Sequence, residues 1–284
     1  MKKKLLVLIA GMMTVLILAA CGSDDGKTGS SSNDNDQEKE ESNVLRVGME
    51  AGYPPFNWTQ MDDGNGAVKI DGAAEYAGGY DVEIAKKVAE GLGKELVIVK
   101  MEWNGLVPAV QSGVVDAIIA GMSPTDERKE SIDFTENYYT SDFVIVVKKG
   151  GPFEKAKTLE DFAKAKITSQ LGTTNYDVID QIPNVDKQTA MDDFNAMRVA
   201  LKSGVIDGYV AERPEAVSST AANKDFAYVE LQKGFKTNPA DTAVAIGVRK
   251  GSDLTDKMNE IIKGISEEER TKLMDAAIAN QPAQ

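Results

Sequence analysis

The chain has no histidine and a single cysteine among its 284 residues. Without histidine there is no His-based acid–base catalysis and no Ser–His or Cys–His nucleophile pair, and the commonest zinc ligand is missing. Positive charge is also scarce: 32 Lys and Arg face 45 Asp and Glu, a net −13. That balance disfavours nucleic acid as a partner. The one long apolar run, Leu5 to Leu18, is too short for a comfortable transmembrane span. An acidic stretch, Asp62-Asp-Gly-Asn-Gly66, lacks the spacing and closing Glu of a calcium loop and reads as a hairpin turn. No metal and no cofactor is expected.

What is present repeats itself. Ala109-Val-Gln-Ser-Gly-Val-Val-Asp-Ala-Ile-Ile-Ala-Gly121 reads against Ala200-Leu-Lys-Ser-Gly-Val-Ile-Asp-Gly-Tyr-Val-Ala-Glu212. Each is the end of an amphipathic helix, a Ser-Gly stop, an apolar strand and a polar or small tip. Gly113 and Gly204 stand where a helix C-terminus takes a left-handed residue. Val115 to Ala120 and Ile206 to Ala211 suit buried strands of a parallel sheet. Two such units predict two similar lobes whose strand tips face one cleft, where open α/β sheets bind ligands. Chance similarity between two common helix–strand units would also produce the pair.

The two ends differ in character from the rest. Lys2 to Lys4, the apolar run and Ala19-Ala20 before Cys21 have the layout of a secretory signal peptide over residues 1–20. Leu18-Ala-Ala-Cys21 resembles the bacterial lipobox, which implies cleavage before Cys21 and a lipid on its sulfur. Residues 21–43 are Gly, Ser, Asp, Asn and Glu with almost no apolar side chain, a tether reaching roughly 25 Å on average. The remaining 240 or so residues suit one large domain or two lobes.

Along that stretch strands alternate with helices, an α/β pattern. Strands are predicted at Val44–Met49, Leu96–Met101, Phe143–Val147, Ile167–Leu171 and Ala243–Val248, besides the two repeat strands. Helices are predicted from Tyr80 to Gly91, from Asn104 as cap, from Thr158-Leu-Glu-Asp161 as a capping-box start, after Gly172-Thr-Thr174, over Asp192–Lys202, and over most of Leu254–Ile278. Trp58 to Glu75 reads as a long hairpin excursion.

Several motifs occur in order: Tyr53-Pro-Pro-Phe56, Gly79-Tyr-Asp-Val-Glu-Ile-Ala85, Trp103-Asn-Gly-Leu-Val-Pro-Ala109, Ala120-Gly-Met-Ser-Pro-Thr-Asp-Glu-Arg128, Ile132-Asp-Phe-Thr135, Tyr138-Tyr139, Gly172-Thr-Thr174 and Val248-Arg-Lys-Gly251. From about Val44 to Lys263 the chain resembles the family 3 solute-binding proteins of polar amino acid ABC importers. It departs from them at the insert near Trp58 to Gly78 and at the C-terminus, which lacks the usual closing aromatic segment. The resemblance implies a two-lobed, type II periplasmic-binding-protein-like fold hinged by two crossover strands. Lobe 1 would comprise 44–141 and 243–284, and lobe 2 would comprise 142–242. It further implies a monomeric, lipid-anchored receptor on the extracytoplasmic face of a bacterial membrane. That receptor passes a free amino acid to permease subunits and has no enzymatic activity.

The resemblance also assigns residues. Arg128 corresponds to the arginine that forks onto the ligand α-carboxylate, a bidentate pairing lysine cannot copy; alone it would read as a surface partner of Asp126 or Asp133. Thr173 and Thr174 correspond to carboxylate donors at a helix start, or to a plain N-cap. Gly121 and Ser123 match positions that present backbone and hydroxyl groups. Glu212 stands where the family has an acid, usually aspartate, against the α-ammonium. Tyr53 and Trp103 match aromatic walls, although aromatics are core by default. Glu50 matches a position reaching the side-chain head group. With Glu212 on the ammonium and Glu50 left for the distal end, arginine or lysine is expected over glutamine, which Ala120-Gly121 also fits. A dehydratase-like enzyme on the same fold is the alternative from another class, resting on Glu50, Glu212 or a lysine as acid or base.

Overall fold

The computed structural model describes residues 43–282; the leader, Cys21 and nearly all of the tether lie outside them. The first stretch holds β1 (Val44–Met49), four short strands β2 (Gly52–Tyr53), β3 (Asn57–Gln60), β4 (Val68–Lys69) and β5 (Tyr76–Gly78), then α1 (Tyr80–Gly91), β6 (Glu95–Lys100), α2 (Leu106–Ser112), β7 (Ala117–Ile118), α3 (Asp126–Ser131) and β8 (Asp133–Thr140). The middle holds β9 (Phe143–Lys148), β10 (Lys166–Thr168), α4 (Thr174–Asp177), β11 (Asp186–Lys187), α5 (Phe194–Ser203), β12 (Gly208–Glu212), α6 (Arg213–Ala222) and β13 (Phe226–Val229). The chain closes with β14 (Ala243–Val248), α7 (Leu254–Gly264) and α8 (Glu267–Asn280).

Ten of these strands form two five-stranded sheets, β6-β1-β7-β14-β8 and β11-β10-β12-β9-β13. The orders correspond strand for strand. In each, three parallel strands are followed by an antiparallel one contributed from across the chain, β14 in the first and β9 in the second. The central strands are apolar and buried along most of their length, as for sheets covered on both faces. The chain passes between the sheets twice, from β8 to β9 and from β13 to β14, and the amide of Ser141 in the first passage bonds the carbonyl of Thr242 in the second at 2.9 Å.

The sequence repeat is a structural repeat. Gly113 and Gly204 both end their helices in the left-handed conformation, with φ of 80° and 79°. The repeated aspartates, Asp116 and Asp207, make the same clasp. Each accepts the amide of the first-strand residue on its carboxylate, from Arg46 or Lys166 at 2.8 Å, and returns its own amide to that residue's carbonyl at 2.8 Å.

Several expectations change at their edges. The first repeat strand shrinks to Ala117–Ile118, because only these residues find ladder partners on both sides. Asn104 caps nothing: it sits inside a 3₁₀ turn, Trp103–Gly105, and α2 starts at Leu106 without a side-chain cap. Thr158 and Asp161 do form a capping box, but on a single 3₁₀ turn, Leu159–Phe162. The excursion is not a hairpin. β3 and β4 both pair with β5, and the turn around Gly64–Gly66 joins them without pairing them. This small sheet has a physical role. Ile70 bridges to Ile98, and the amide of Asp71 bonds the Ile98 carbonyl at 2.8 Å, so the excursion covers the open edge of β6.

Candidate functional site

One tightly closed cavity of about 20 Å³ is lined by Glu50, Tyr53, Trp103, Gly121, Ser123, Arg128, Gln170, Thr173, Thr174, Asn175, Phe194 and Glu212. All nine residues singled out in the sequence are among them. Each lining residue follows, or ends, a parallel strand: Glu50 and Tyr53 after β1, Trp103 after β6, Gly121 to Arg128 after β7, Gln170 to Asn175 after β10, Phe194 after β11, and Glu212 closing β12. This is where an open α/β sheet presents its loops and helix starts to a ligand.

The two sheets' walls touch across the cavity. Tyr53 donates its hydroxyl to Glu212 Oε2, and its ring lies 4.4 Å from that of Phe194. Gln170 Nε2 donates to both oxygens of Glu50, at 3.0 and 3.1 Å. Trp103 Nε1 donates to the Gly172 carbonyl at 3.3 Å. Arg128 splits its guanidinium between the walls: Nη1 reaches the Ser123 carbonyl at 2.9 Å, and Nη2 reaches the Gly172 carbonyl at 3.0 Å. Its plane lies over the Trp103 ring, 5.2 Å from the centroid. Arg128 is therefore not the partner of Asp126 or Asp133, which pair with Lys129 and Lys250.

Burial dominates the electrostatics. The Glu50 carboxyl is pushed up to about 7 by desolvation, with Asp193 and Glu102 adding to the shift and Gln170 opposing it. Glu212 is raised for the same reason, against the opposing hydrogen bonds of Tyr53 and Asn175 and the positive charge of Arg128. Arg128 is lowered by burial. A ligand cation would favour the charged form of either carboxyl, and a ligand anion would pair with the Arg128 guanidinium, which stays charged throughout.

The local chain explains the placement. Gly121 has φ of 67°, and a Cβ there would lie 3.1 Å from the Tyr53 ring, so the wall needs glycine twice over. Glu212 ends β12 and begins α6, yet its side chain does not cap that helix. It turns inward, where Asn175 Nδ2 donates to it at 2.8 Å. Thr173 stands at the N-cap of α4 without capping it; its hydroxyl goes to the Gln170 carbonyl at 2.7 Å. α4 is one turn long, continued as 3₁₀, so a helix dipole has little length to act over.

Three lining residues escaped the sequence reading. Gln170 follows a strand that reads longer than it is, Asn175 is hidden in a helix start, and Phe194 looks like core. The one available signal was Gln170's place directly before Leu171 and the Gly172-Thr-Thr174 motif. Among the described residues no group of three or more acidic, His or Cys side chains is placed to hold a metal, and no helix is long and apolar enough to cross a membrane.

Two α/β halves with matched strand order and one cavity at their facing strand ends define a type II periplasmic-binding-protein fold. Residues 45–278 match the bacterial extracellular solute-binding proteins, family 3, and the chain belongs to that family. Family membership puts it on the extracytoplasmic side. A probable histidine-binding protein of Campylobacter jejuni is 31% identical over 83% of this chain and 83% of its own length. The arginine-binding extracellular protein ArtP of Bacillus subtilis is 31% identical over 77% of this chain and 79% of its own length. Among solved structures, the substrate-binding protein AbpA of Streptococcus pneumoniae bound to L-arginine superposes with a TM-score of 0.71 at 27% identity, covering 84% of this chain and 95% of its own. An ancestral arginine-binding protein is known bound to arginine and to glutamine, each with a TM-score of 0.67.

Proposed function

We propose that this chain is the receptor of an ABC importer for a polar amino acid, arginine or lysine before glutamine, and that it binds without turnover. The observation that carries the reading is one cavity holding two buried carboxylates with separate partners, together with a guanidinium. Arg128 suits the α-carboxylate, reinforced by the backbone amides of Ser123, Thr173 and Thr174, with the Gly121 backbone also facing the ligand. Glu212 suits the α-ammonium, and Glu50 is left for a cationic head group. Tyr53, Phe194 and Trp103 would cover the aliphatic stem. Relatives named for arginine and neighbours bound to it support the class.

Residues 44–141 with 243–284 would act as one lobe and 142–242 as the other, a division that follows the sheet membership of the strands. Ligand bridges the lobes and favours their closure through contacts available only when they meet. Cys21, outside the described residues, would carry the lipid that holds this monomeric receptor beside its permease.

Arg128→Ala tests the reading by calorimetry with L-arginine. Leaving a buried carboxylate without its partner costs about 3–5 kcal/mol, so affinity should fall by roughly 10²-fold or more, ~1.4 kcal/mol being tenfold. A loss below about fivefold, near 1 kcal/mol, would remove Arg128 from the site.

A further inference from the structure

The segment that returns the chain from β13 to β14 touches two of the residues that line the cavity, although no motif marks it. The carbonyl of Asp241 accepts two hydroxyls at once, Ser123 Oγ at 3.0 Å and Thr174 Oγ1 at 3.3 Å. Ser123 follows β7 of the first sheet, and Thr174 follows β10 of the second. A carbonyl has two lone pairs and a hydroxyl one proton. Asp241 thus uses both lone pairs, and each hydroxyl turns only its own lone pairs to other neighbours.

The segment is built to hold that carbonyl in place. Asn238 donates its amide to Asp241 Oδ2 at 2.8 Å, and Asp241 returns its amide to the Asn238 carbonyl at 3.0 Å, closing a turn around Pro239. Just upstream, Gln181 grips Lys236 through both backbone groups, at 2.8 Å each. The turn is therefore tied upstream to the half that carries Thr174, and two residues downstream it enters β14 of the half that carries Ser123. Separating the halves would break one of the two hydroxyl bonds.

We infer that Asp241 is a positioning residue for ligand capture: its carbonyl clasps Ser123 and Thr174 across the cleft and stabilises the closed state. This rests on the receptor reading above. In the clasped state neither hydroxyl proton is available to a carboxylate, so the ligand's carboxylate depends on Arg128 and backbone amides. Asp241→Ala removes the acceptor that shapes the turn; Asp241→Asn keeps it.

Trp103 spans the cleft, so its fluorescence can follow L-arginine in stopped flow with the full chain. Hydrogen bonds of this kind contribute about 0.5–1.5 kcal/mol net. Asp241→Ala should therefore release arginine about three- to tenfold faster with its arrival rate little changed. Asp241→Asn should behave as wild type, and Ser123→Ala added to Asp241→Ala should add little. Small-angle scattering without ligand should show the alanine variant more open. An alanine variant that releases arginine at the wild-type rate, or effects of Ser123→Ala and Asp241→Ala that sum in full, would overturn the clasp. If wild type does not respond to arginine, the cationic reading fails by itself. The scattering comparison then decides the clasp: equal radii overturn it, and a larger radius in the alanine variant supports it.

Discussion

Glu50 is a carboxyl with the proton affinity of a histidine, in a chain that has no histidine. Its protonation should distinguish the two ligand classes by sign. A guanidinium or ammonium at Glu50 lowers the bound-state pKa below the free value of about 7, so binding expels a proton. Arginine affinity should then rise as pH increases through that value. Glutamine would instead use the protonated carboxyl as a hydrogen-bond donor, and its affinity should fall over the same interval. Calorimetry from pH 5.5 to 8.5 reads the slope, and Glu50→Gln should flatten it for either ligand. A flat wild-type profile for arginine would mean that Glu50 does not meet the head group.

At the scale of elements, the aromatic wall is held by the start of α1. The first amides of that helix, those of Tyr80 and Asp81, bond the carbonyls of Pro55 and Phe56 at 3.0 and 2.7 Å, locking the loop that carries Tyr53. Gly79 allows the approach: its φ is 119°, and a Cβ there would sit 2.4 Å from the Phe56 carbonyl oxygen. Gly79→Ala should destabilise the protein by at least about 2 kcal/mol, from backbone strain and overpacking. Gly93→Ala is the control, since Gly93 is also left-handed but has nothing within 4 Å of its Cβ position. Thermal melts in which the two variants shift equally would refute the clash. Elements of this kind were legible in the sequence where period and punctuation agree. β1, β14 and the start of α1 fall where the pattern puts them, and both repeat glycines end their helices. The misplaced cap at Asn104 and the overlong strand at Val115 depend on tertiary hydrogen bonding, which local pattern does not encode. For the same reason the clasp at Asp241 could not be read: it is a backbone carbonyl, and no side chain announces it.

For the molecule as a whole, membrane attachment and ligand capture are separable. Cys21→Ala should abolish lipid labelling and release the receptor from the membrane fraction while leaving ligand affinity unchanged, because the tether has no composition to fold or pack. Palmitate labelling with cell fractionation checks it; a labelled, membrane-bound variant would end the anchor proposal. Nine of the lining residues were legible in the sequence, seven inside the quoted motifs and Glu50 and Glu212 from their places in the resemblance, whereas Gln170, Asn175 and Phe194 emerged only once the second wall was in place. The central claim is that the cavity between the two sheets takes an amino acid whose side chain is cationic. Its most direct test is a calorimetric titration of L-arginine, L-lysine and L-glutamine into wild type and Glu50→Gln at pH 8. The account predicts that arginine or lysine binds wild type most tightly and loses about tenfold or more in Glu50→Gln, a change of ~1.4 kcal/mol. Tightest binding of glutamine by wild type, or arginine and lysine affinities indifferent to Glu50→Gln, would contradict it.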